Sequence, residues 1–411
     1  MTGPDHRPSC RSCGHDDIAL ILRLGQVPLA NALLSAEQLG QPEECFPLDL
    51  FFCQQCALVQ IGETVAPEKL FANYAYASSY SDTMLTHSRS LVQQLAAERR
   101  LSSDHLVTEI ASNDGYLLQY YKELGIPVLG IEPAANIAEV AIGKGIPTLI
   151  EFFDETLAGR LAAKGCMADI VHAHNVFAHV PDPNRFVLGL KRVLKSSGIA
   201  LIEAPYIRDL IEKLEFDTIY HEHFSYYSLS SVESLCRRHA LMVADVERIQ
   251  IHGGSLRFTI SHAGAQPSER VTAMLAEERA AGLLDFDYYR NFADHVWRLR
   301  DDLVNNLIRL KADGARIAAY GASAKGSTLM NSFKINGEFI DFVVDRSPIK
   351  QGRFTPGNHL AILPPSALVE RRPDYVLLLT WNFADEILQQ QKAYRDLGGR
   401  FIVPVPAVRI V

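Results

Sequence analysis

The pattern that most constrains this chain is a pair of Cys-x-x-Cys motifs near its N-terminus, formed by Cys10 with Cys13 and by Cys53 with Cys56. Each motif can present two thiolates to one ion, and two motifs complete a tetrahedral zinc site. Four sulfur ligands leave no open coordination position, which indicates a structural rather than a catalytic ion. A redox role would require a thioredoxin-like βαβ context, which is not present. The motifs therefore predict a small β-rich module that depends on zinc for stability.

Composition excludes several classes of protein and of partner. The 411 residues are 48% hydrophobic and 21% charged, which is typical of globular proteins. The net charge of −8 argues against a nucleic-acid partner, so a polyanionic ligand would need a local cationic pocket. The sequence contains no run of 18 apolar residues and no apolar signal core at its start, so we expect no membrane span and a cytoplasmic protein.

Beyond the first module, apolar segments alternate with helical periodicity. A helix is predicted over 82–100, and β-type runs then recur between helices. This alternation predicts a doubly wound parallel sheet, in which ligands bind at the carboxyl ends of the strands. The predicted strands are 106–110, 128–133, 147–152, 169–175 and 198–205.

A second α/β unit is predicted in the last third of the chain. Residues 267–312 have a mostly helical pattern, and 316–331 predict a strand, a Gly-rich turn and a helix. Further strands are predicted at 339–345, 375–380 and 400–406. The fold class is therefore α/β, with two Rossmann-like units after the zinc-binding module. We expect the three domains to span 1–75, 76–250 and 251–411.

The first parallel strand is followed by the small-residue loop that ends in Gly115. Small residues allow a ligand to approach the backbone, and an acidic residue after the second strand can bind ribose hydroxyls. A single glycine departs from the GxGxxG pattern, which weakens a dinucleotide site and is compatible with S-adenosylmethionine. The alternative is an ordinary strand–turn. The candidate cofactor residues are Glu109, Ala111, Ser112, Asn113, Asp114, Glu132, Phe153 and Asn175.

The segment Tyr220–His223 contains two histidines around Glu222. Their spacing is not that of HExxH, so a protease-type zinc site is not indicated. In an extended segment both histidines would share one face and Glu222 would point away, whereas a turn could bring Glu222 close. A histidine and a carboxylate beside tyrosines suit proton abstraction. A polar loop or a second metal site is the alternative.

Several cations in the C-terminal third are candidate phosphate ligands. Each lies in a Gly-containing motif, where backbone N–H groups and a cation can meet an anion. A bulged strand or solvated surface charges would explain the same motifs. The candidates are His252, Arg257, Lys325, Lys350 and Arg353.

Taken in order, these motifs resemble the S-adenosylmethionine-dependent sugar C-methyltransferases. The resemblance covers nearly the whole chain. It rests on CRSC, CQQC, YAYASS, EIASNDGYLL, NVFAHVPD, FDTIYHEHF, HGGSLR, YGASAKG, KQGRFTPG and TWNFADE. It implies a class I methyltransferase domain between an N-terminal zinc-binding region and a family-specific C-terminal domain.

The resemblance also implies roles for individual residues. It makes His223 the base, with Glu222, Tyr220, His179 and Tyr76 as further active-site residues. The implied substrate is a nucleotide-diphosphate 4-keto-6-deoxysugar. Its carbon 3 would lose a proton and take the methyl of S-adenosylmethionine. The resemblance places an alanine, Ala111, where some relatives carry glycine, and we expect it to be tolerated. We expect a monomer or a homodimer, and neither nucleic acid nor membrane as a partner.

Three alternatives remain open at this point. The first is methylation of another carbon or of an oxygen of the sugar. The second is a nicotinamide-dependent sugar oxidoreductase that uses the second Rossmann-like unit, although GASAKG lacks the glycine pattern. The third is a zinc-containing binding module that recruits nucleic acid or protein, although the first 60 residues hold no basic–aromatic patch.

Overall fold

The helices and strands follow the alternation predicted from the sequence. The computed structural model describes residues 8–71, 78–80, 82–249, 254–264 and 266–411. The strands are β1 (Ile18–Pro28), β2 (Cys45–Cys53), β3 (Val59–Ile61), β4 (Val107–Ile110), β5 (Val128–Ile131), β6 (Thr148–Leu149), β7 (Ala168–His174), β8 (Leu194–Pro205), β9 (Ser225–Tyr226), β10 (Leu241–Ile249), β11 (Ser255–His262), β12 (Ile317–Tyr320), β13 (Val343–Val344), β14 (Ile362–Leu363), β15 (Tyr375–Leu378), β16 (Arg400–Val403) and β17 (Arg409–Ile410).

The α-helices lie between these strands. None of those that the structure describes is long and apolar enough to cross a bilayer. They are α1 (Pro67–Phe71), α2 (Asp82–Glu98), α3 (Leu118–Glu123), α4 (Ala135–Gly143), α5 (Glu155–Ala163), α6 (Pro183–Val193), α7 (Ile207–Glu212), α8 (Leu229–Arg238), α9 (Glu269–Ala281), α10 (Phe286–Tyr289), α11 (Phe292–Ala312), α12 (Ala324–Phe333), α13 (Ala367–Arg371), α14 (Ala384–Gln390) and α15 (Lys392–Asp396).

The N-terminal module is an antiparallel sheet whose last strand comes from far along the chain. The strand order is β1-β2-β3-β9, and Val59 of β3 lies opposite Tyr226 of β9. The alternating apolar residues of β2 are buried, and Phe52 packs on Tyr289 of α10 with ring centroids 4.7 Å apart. The predicted β-rich module is therefore closed by a strand that begins two residues after His223.

The central sheet has the order β10-β11-β8-β7-β4-β5-β6. Its strands from β8 to β6 are parallel, which confirms the predicted doubly wound sheet. The hairpin of β10 and β11 extends the sheet in the antiparallel sense through pairing of β11 with β8. The domain boundary predicted at 250/251 therefore divides this hairpin, because β11 completes the central sheet and not the C-terminal one.

The C-terminal unit is a second sheet with the order β14-β13-β12-β15-β16-β17. All neighbouring strands are parallel except β16 and β17. The parallel core with its intervening helices confirms the predicted second Rossmann-like unit. The long helix α11 precedes this sheet and buries Leu299, Leu303, Leu307 and Leu310 on one face, at the spacing of an amphipathic helix.

Both flanking units contact the segment that leads to His223. Phe216 stacks on Phe333 of α12 at 4.7 Å between centroids, and Trp381 Nε1 donates a hydrogen bond to Asp217 at 2.7 Å. On the other side, β9 belongs to the N-terminal sheet. A loop in the middle of the chain is thus fixed by elements that are distant from it in sequence.

Candidate active site

A cavity of ≈510 Å³ opens at the carboxyl ends of β4, β5 and β7. This is the edge at which parallel α/β sheets bind ligands. The central sheet, the loop before β9 and the start of α12 all contribute to its lining. It brings together nine of the residues predicted from the sequence: Ala111, Asn113, Glu132, Phe153, Asn175, His179, Tyr220, His223 and Lys325.

Three residues of the cavity wall have a left-handed backbone. Ala111, Asn113 and Asn175 have φ of 54°, 50° and 53°. Asparagine tolerates this conformation, whereas for alanine it costs about 1–2 kcal/mol. Such outliers concentrate at ligand sites, where the surrounding structure holds them in place. The left-handed φ at Ala111 explains physically why glycine suits this position, and the chain accommodates alanine there.

Glu132 at the end of β5 has a geometry that suits a ribose. One carboxylate oxygen accepts from the Asn113 N–H at 3.0 Å and the other from the Ala134 N–H at 2.9 Å. Each oxygen keeps a lone pair that can accept from a ribose hydroxyl. Burial raises the pKa of this carboxyl, while the two backbone donors favour its charged form. The loop and the acid together fit S-adenosylmethionine.

The other predicted cofactor residues lie behind the cavity wall. Glu109 is fully buried, and burial raises its pKa well above the usual range. Asp114 accepts from the Ser79 hydroxyl and from Lys144 Nζ, and Ser112 is buried next to Gly130. These side chains shape the loop from behind, whereas the five cofactor residues in the lining face the ligand space.

A tight turn sets the tautomer of His223. The His223 N–H donates to the Tyr220 carbonyl at 2.9 Å, which brings the two side chains together. His223 Nδ1 lies 2.9 Å from the Thr218 carbonyl, which can only accept, so Nδ1 carries the proton. Nε2 is then the basic nitrogen, and it accepts from the Tyr220 hydroxyl at 3.0 Å. This tautomer places a proton acceptor at the cavity surface.

His179 packs against this base. The two imidazole centroids are 4.7 Å apart, and the His179 ring is hydrogen-bonded to the backbone of Glu222. Burial lowers the pKa of His179 to about 4, so its ring is neutral near pH 7. His179 can therefore serve as a neutral hydrogen-bonding group, but it supplies no positive charge.

The turn directs the neighbours of His223 away from the cavity. His221 Nε2 lies 3.2 Å from the Pro47 carbonyl of the N-terminal module. Both oxygens of Glu222 accept from Asn31 Nδ2, at 2.8 and 2.9 Å. Burial raises the pKa of Glu222 to about 7. Of the two geometries considered from the sequence, the segment adopts the turn, and this turn nevertheless directs Glu222 away from the cavity.

Lys325 is the predicted phosphate ligand that reaches the cavity. Its Nζ lies 4.5 Å from the Trp381 ring centroid and 4.0 Å from a Glu215 oxygen. Both contacts hold the ammonium at the boundary between the central and C-terminal units, where an anionic group of a substrate can reach it. The predicted residues His252 and Tyr76 lie outside the described residues.

Two of the predicted phosphate ligands, Arg257 and Arg353, do not line the cavity. Arg257 of β11 faces Glu203 of β8 and Glu247 of β10 in register, and its guanidinium binds them at 2.7 and 2.8 Å. Cross-strand pairing therefore places this cation in the sheet and not in the cavity. Arg353 is exposed and lies outside the cavity lining.

Lys350 occupies the crevice of the second Rossmann-like unit. Its Nζ donates to the Ala322 carbonyl at 2.8 Å and lies 3.8 Å from Asp345. Asp345 also accepts from the Ala322 N–H at 2.8 Å. The strand–turn–helix of this unit is thus bridged by its own side chains, where a dinucleotide-binding unit would keep the acid available to a ribose. This observation disfavours the oxidoreductase alternative.

The four cysteines converge as the motif predicts. Cys10 Sγ lies 3.5 Å from Cys56 Sγ, and Cys13 Sγ lies 3.6 Å from Cys53 Sγ. All four sulfur atoms lie within 4.8 Å of one another. Tetrahedral ligands at about 2.3 Å from zinc have similar separations, so the donor set fits zinc.

Two residues of the site were not among the candidates predicted from the sequence. Asn31 lies in a polar loop of the N-terminal module, and no motif connects it with Glu222. His174 lines the cavity and hydrogen-bonds His172 at 3.0 Å, but a histidine at a strand end is more often structural. Position at the carboxyl end of a parallel strand was the available signal for His174. Asn31 had none, because its contact is purely tertiary.

Comparison with protein-family models divides the chain into three consecutive segments. Residues 10–71 match a zinc binding domain, 82–244 a methyltransferase domain and 250–406 a C-methyltransferase C-terminal domain. The chain is 37% identical over 404 residues to the C-methyltransferase NovU of Streptomyces niveus, an alignment that covers 98% of this chain and 96% of that protein. This similarity therefore spans all three units.

Two further similarities cover less than half of the chain. The ubiquinone biosynthesis O-methyltransferase of Bartonella quintana (strain Toulouse) is 26% identical over 155 residues, covering 34% of this chain and 61% of that protein. The structure of magnesium protoporphyrin IX methyltransferase from Synechocystis PCC 6803 with bound SAH is 14% identical and covers 48% of this chain and 92% of that one, with a TM-score of 0.35.

Proposed function

Because this chain belongs to the family of S-adenosylmethionine-dependent C-methyltransferases with a zinc-binding N-terminal domain, we propose that it methylates carbon 3 of a nucleotide-linked 4-keto-6-deoxysugar. One observation supports this proposal above the others. The cavity that holds the candidate methyl-donor residues also exposes an imidazole, His223, whose hydrogen bonds leave Nε2 as a base. Carbon methylation needs such a base, because a C–H bond must break before the new C–C bond forms.

The proposed reaction assigns a distinct task to each side chain. The 4-keto group acidifies the proton on carbon 3, and His223 Nε2 takes that proton. The electron pair of the C–H bond moves into an enolate. The Tyr220 hydroxyl must turn from Nε2 before this proton transfer, which frees the lone pair of that nitrogen, and it then donates to the oxygen that gains charge. When bound, S-adenosylmethionine would supply an electrophilic methyl group. The enolate carbon would form the new C–C bond as the methyl–sulfur bond breaks, and the neutral thioether would be the leaving group. The loop at Ala111 and Asn113, together with Glu132, would hold the methyl donor.

The proposal also assigns roles to His179 and Lys325. The neutral ring of His179 packs against His223 and limits its orientation. Lys325 would bind the diphosphate of the substrate, as a cation held at the cavity edge. Positioning both substrates in one cavity supplies a large part of the rate enhancement in such reactions.

The decisive experiment uses the purified protein in deuterated water. With a dTDP-4-keto-6-deoxyhexose and S-adenosylmethionine, we expect one new methyl group by mass spectrometry and a carbon-bound methyl signal by NMR. Without the methyl donor, we expect deuterium to replace the proton at carbon 3. A methyl group on oxygen, or on another carbon, would contradict the proposed position. Neither transfer nor exchange with dTDP-, GDP- and CDP-linked sugars would contradict the substrate class.

Replacement of Lys325 by methionine tests the diphosphate contact. Loss of one charge-assisted hydrogen bond is expected to raise KM for the nucleotide sugar about 10-fold, with KM for S-adenosylmethionine unchanged. Initial rates at varied concentrations of each substrate measure the two constants separately. Lys392→Met removes an exposed lysine of the same unit and provides the control. An unchanged KM for the sugar in Lys325→Met would show that another group binds the diphosphate.

A further inference from the structure

Glu222 is the residue of the Tyr220–His223 turn whose carboxylate leaves the cavity altogether. Its side chain is absent from the cavity lining, and only 5% of the residue is exposed. Both oxygens instead accept from one amide, Asn31 Nδ2 of the N-terminal module. A carboxylate that does not line the cavity, and that accepts from Asn31 among the described residues, is poorly placed to transfer protons. Its contact indicates a mechanical role.

We propose that Asn31 is a positioning residue, which holds the Tyr220–His223 turn in its reactive geometry by binding the Glu222 carboxylate across the domain boundary. The inference rests on the proposed function, since it assumes that this turn carries the base. It assigns to the zinc-binding module a part in catalysis that lies in the placement of His223. Glu222 is then an anchor for the turn and not an acid or a base.

The loop that carries Asn31 is itself fixed from two sides. It follows β1 of the N-terminal sheet directly, and the Leu33 N–H donates to the Asn31 carbonyl at 2.9 Å. Leu34 pairs with Phe354 of the C-terminal unit through two backbone hydrogen bonds of 3.0 and 2.9 Å. The loop that carries Asn31 is therefore held by both the N-terminal module and the C-terminal unit. Asn31 can for this reason fix the position of the Tyr220–His223 turn.

The residues beside Glu222 also contact the N-terminal module. His221 lies against the Pro47 carbonyl and meets the Phe46 ring edge-on at 5.8 Å. The next residues of the chain form β9, which pairs with β3. The turn is thus attached to the N-terminal sheet before, at and after Glu222. The first and last residues of the turn, Tyr220 and His223, line the cavity.

The Asn31 amide also stabilises the charged form of a buried group. Burial raises the pKa of Glu222, and the hydrogen bonds from Asn31 oppose that change. Without these donors, the carboxylate must either take up a proton or move towards water. In both cases the turn loses its attachment to Asn31, which leaves its backbone free to shift, including the Glu222 group to which His179 is hydrogen-bonded. A displacement of about 1 Å at a catalytic group can cost up to about 10²-fold in rate.

The test compares Asn31→Ala, Glu222→Ala and the double variant. Asn31 is exposed, so its replacement removes no core packing. We expect each single variant to lower kcat about 10-fold or more, with both KM values within about twofold of wild type. The double variant is expected to be no slower than Glu222→Ala, because both substitutions break the same contact. Gln41→Ala, at an exposed amide of the same module, is the matched control.

Glu222→Gln separates an anchor from an acid–base group. The glutamine carbonyl oxygen still accepts from Asn31, so this variant is expected to retain more of kcat than Glu222→Ala, with the pH dependence of kcat unchanged in shape. If Glu222 transfers protons, Glu222→Gln loses as much activity as Glu222→Ala while Asn31→Ala stays active. That result would overturn the proposal.

A spectroscopic measurement makes the test independent of the substrate. The Nδ1–H of His223, bound to the Thr218 carbonyl, is expected to give a protected imidazole NMR signal, assigned by its loss in His223→Asn. In Asn31→Ala the signal should shift or broaden, and in Gln41→Ala it should remain. An unchanged signal and unchanged kcat in Asn31→Ala overturn the inference. If the wild-type protein is inactive on every sugar but its His223 signal still depends on Asn31, the proposed function is contradicted. The positioning role of Asn31 is not contradicted by that result.

Discussion

Replacement of His223 by asparagine is expected to lower kcat for methyl transfer by about 10³-fold, the usual contribution of a general base. The side chain keeps much of the shape and polarity of the imidazole but cannot take a proton near pH 7. The affinity for S-adenosylmethionine is expected to stay within about twofold, because the residues that would hold it lie on the loops after β4, β5 and β7. Single-turnover kinetics and calorimetric titration measure the two quantities.

Deuterium exchange at carbon 3 sharpens this prediction. His223→Asn should lose exchange in the absence of the methyl donor to the same extent as methyl transfer, since both begin with proton removal. Tyr220→Phe retains the base but loses the hydroxyl that contacts Nε2. It should slow deuterium exchange and methyl transfer less than His223→Asn does. Near-normal turnover of a folded His223→Asn variant would show that a different group is the base.

Replacement of Cys53 by serine is expected to abolish zinc binding and to lower kcat about 10²-fold. One missing thiolate opens the four-sulfur site, and serine is a poor ligand for zinc. We expect the melting temperature to fall by roughly 10 °C or more, because structural zinc contributes directly to the free energy of folding. Metal analysis, calorimetry and steady-state kinetics check the three effects.

The catalytic part of this expectation follows from how the first zinc knuckle is attached. Arg11, between the cysteines, donates to the carbonyls of Ile61, Glu63 and Pro181, and the last of these lies two residues after His179. Arg238 of α8 donates to the Ser12 carbonyl at 2.9 Å. Loss of zinc would loosen the first knuckle. It would also loosen the Tyr220–His223 turn, because β9, which follows this turn, belongs to the same N-terminal sheet.

A cysteine outside the cluster supplies the control. Cys45 is exposed at the start of β2 and is not part of the four-sulfur group, so Cys45→Ser should bind zinc and turn over like wild type. If Cys53→Ser lost its zinc but kept full kcat, the N-terminal module would have no part in placing the catalytic turn.

The sheets and their ligand edge could be predicted because their signals are local. Buried parallel strands appear as apolar runs between helices, and their carboxyl ends mark the ligand edge without further information. Glu132 and Asn175 were found in this way, and both line the cavity. The cysteine motifs are equally local, since the chemistry of the thiolates dictates their convergence.

The positions of the candidate cations could not be predicted from their motifs. The glycines before Arg257 suggested an anion site, but the antiparallel register of β11 puts Glu203 and Glu247 on either side of it. Lys350 was a candidate for the same reason, and its contact with Ala322 depends on the fold of the second unit. A long flexible cation can reach many partners, so its motif alone does not select one.

The sequence by itself determined the three-part α/β architecture and the four zinc ligands, and it indicated the candidate cofactor loop and the Tyr220–His223 segment, because spacing and apolar periodicity act over short stretches of chain. Only the tertiary structure decided that this segment is a turn, that Nε2 of His223 is its basic atom and that the Glu222 carboxylate accepts from Asn31. These outcomes depend on carbonyl and amide groups from remote parts of the chain. Their directions are set by packing of the domains, which no local pattern encodes.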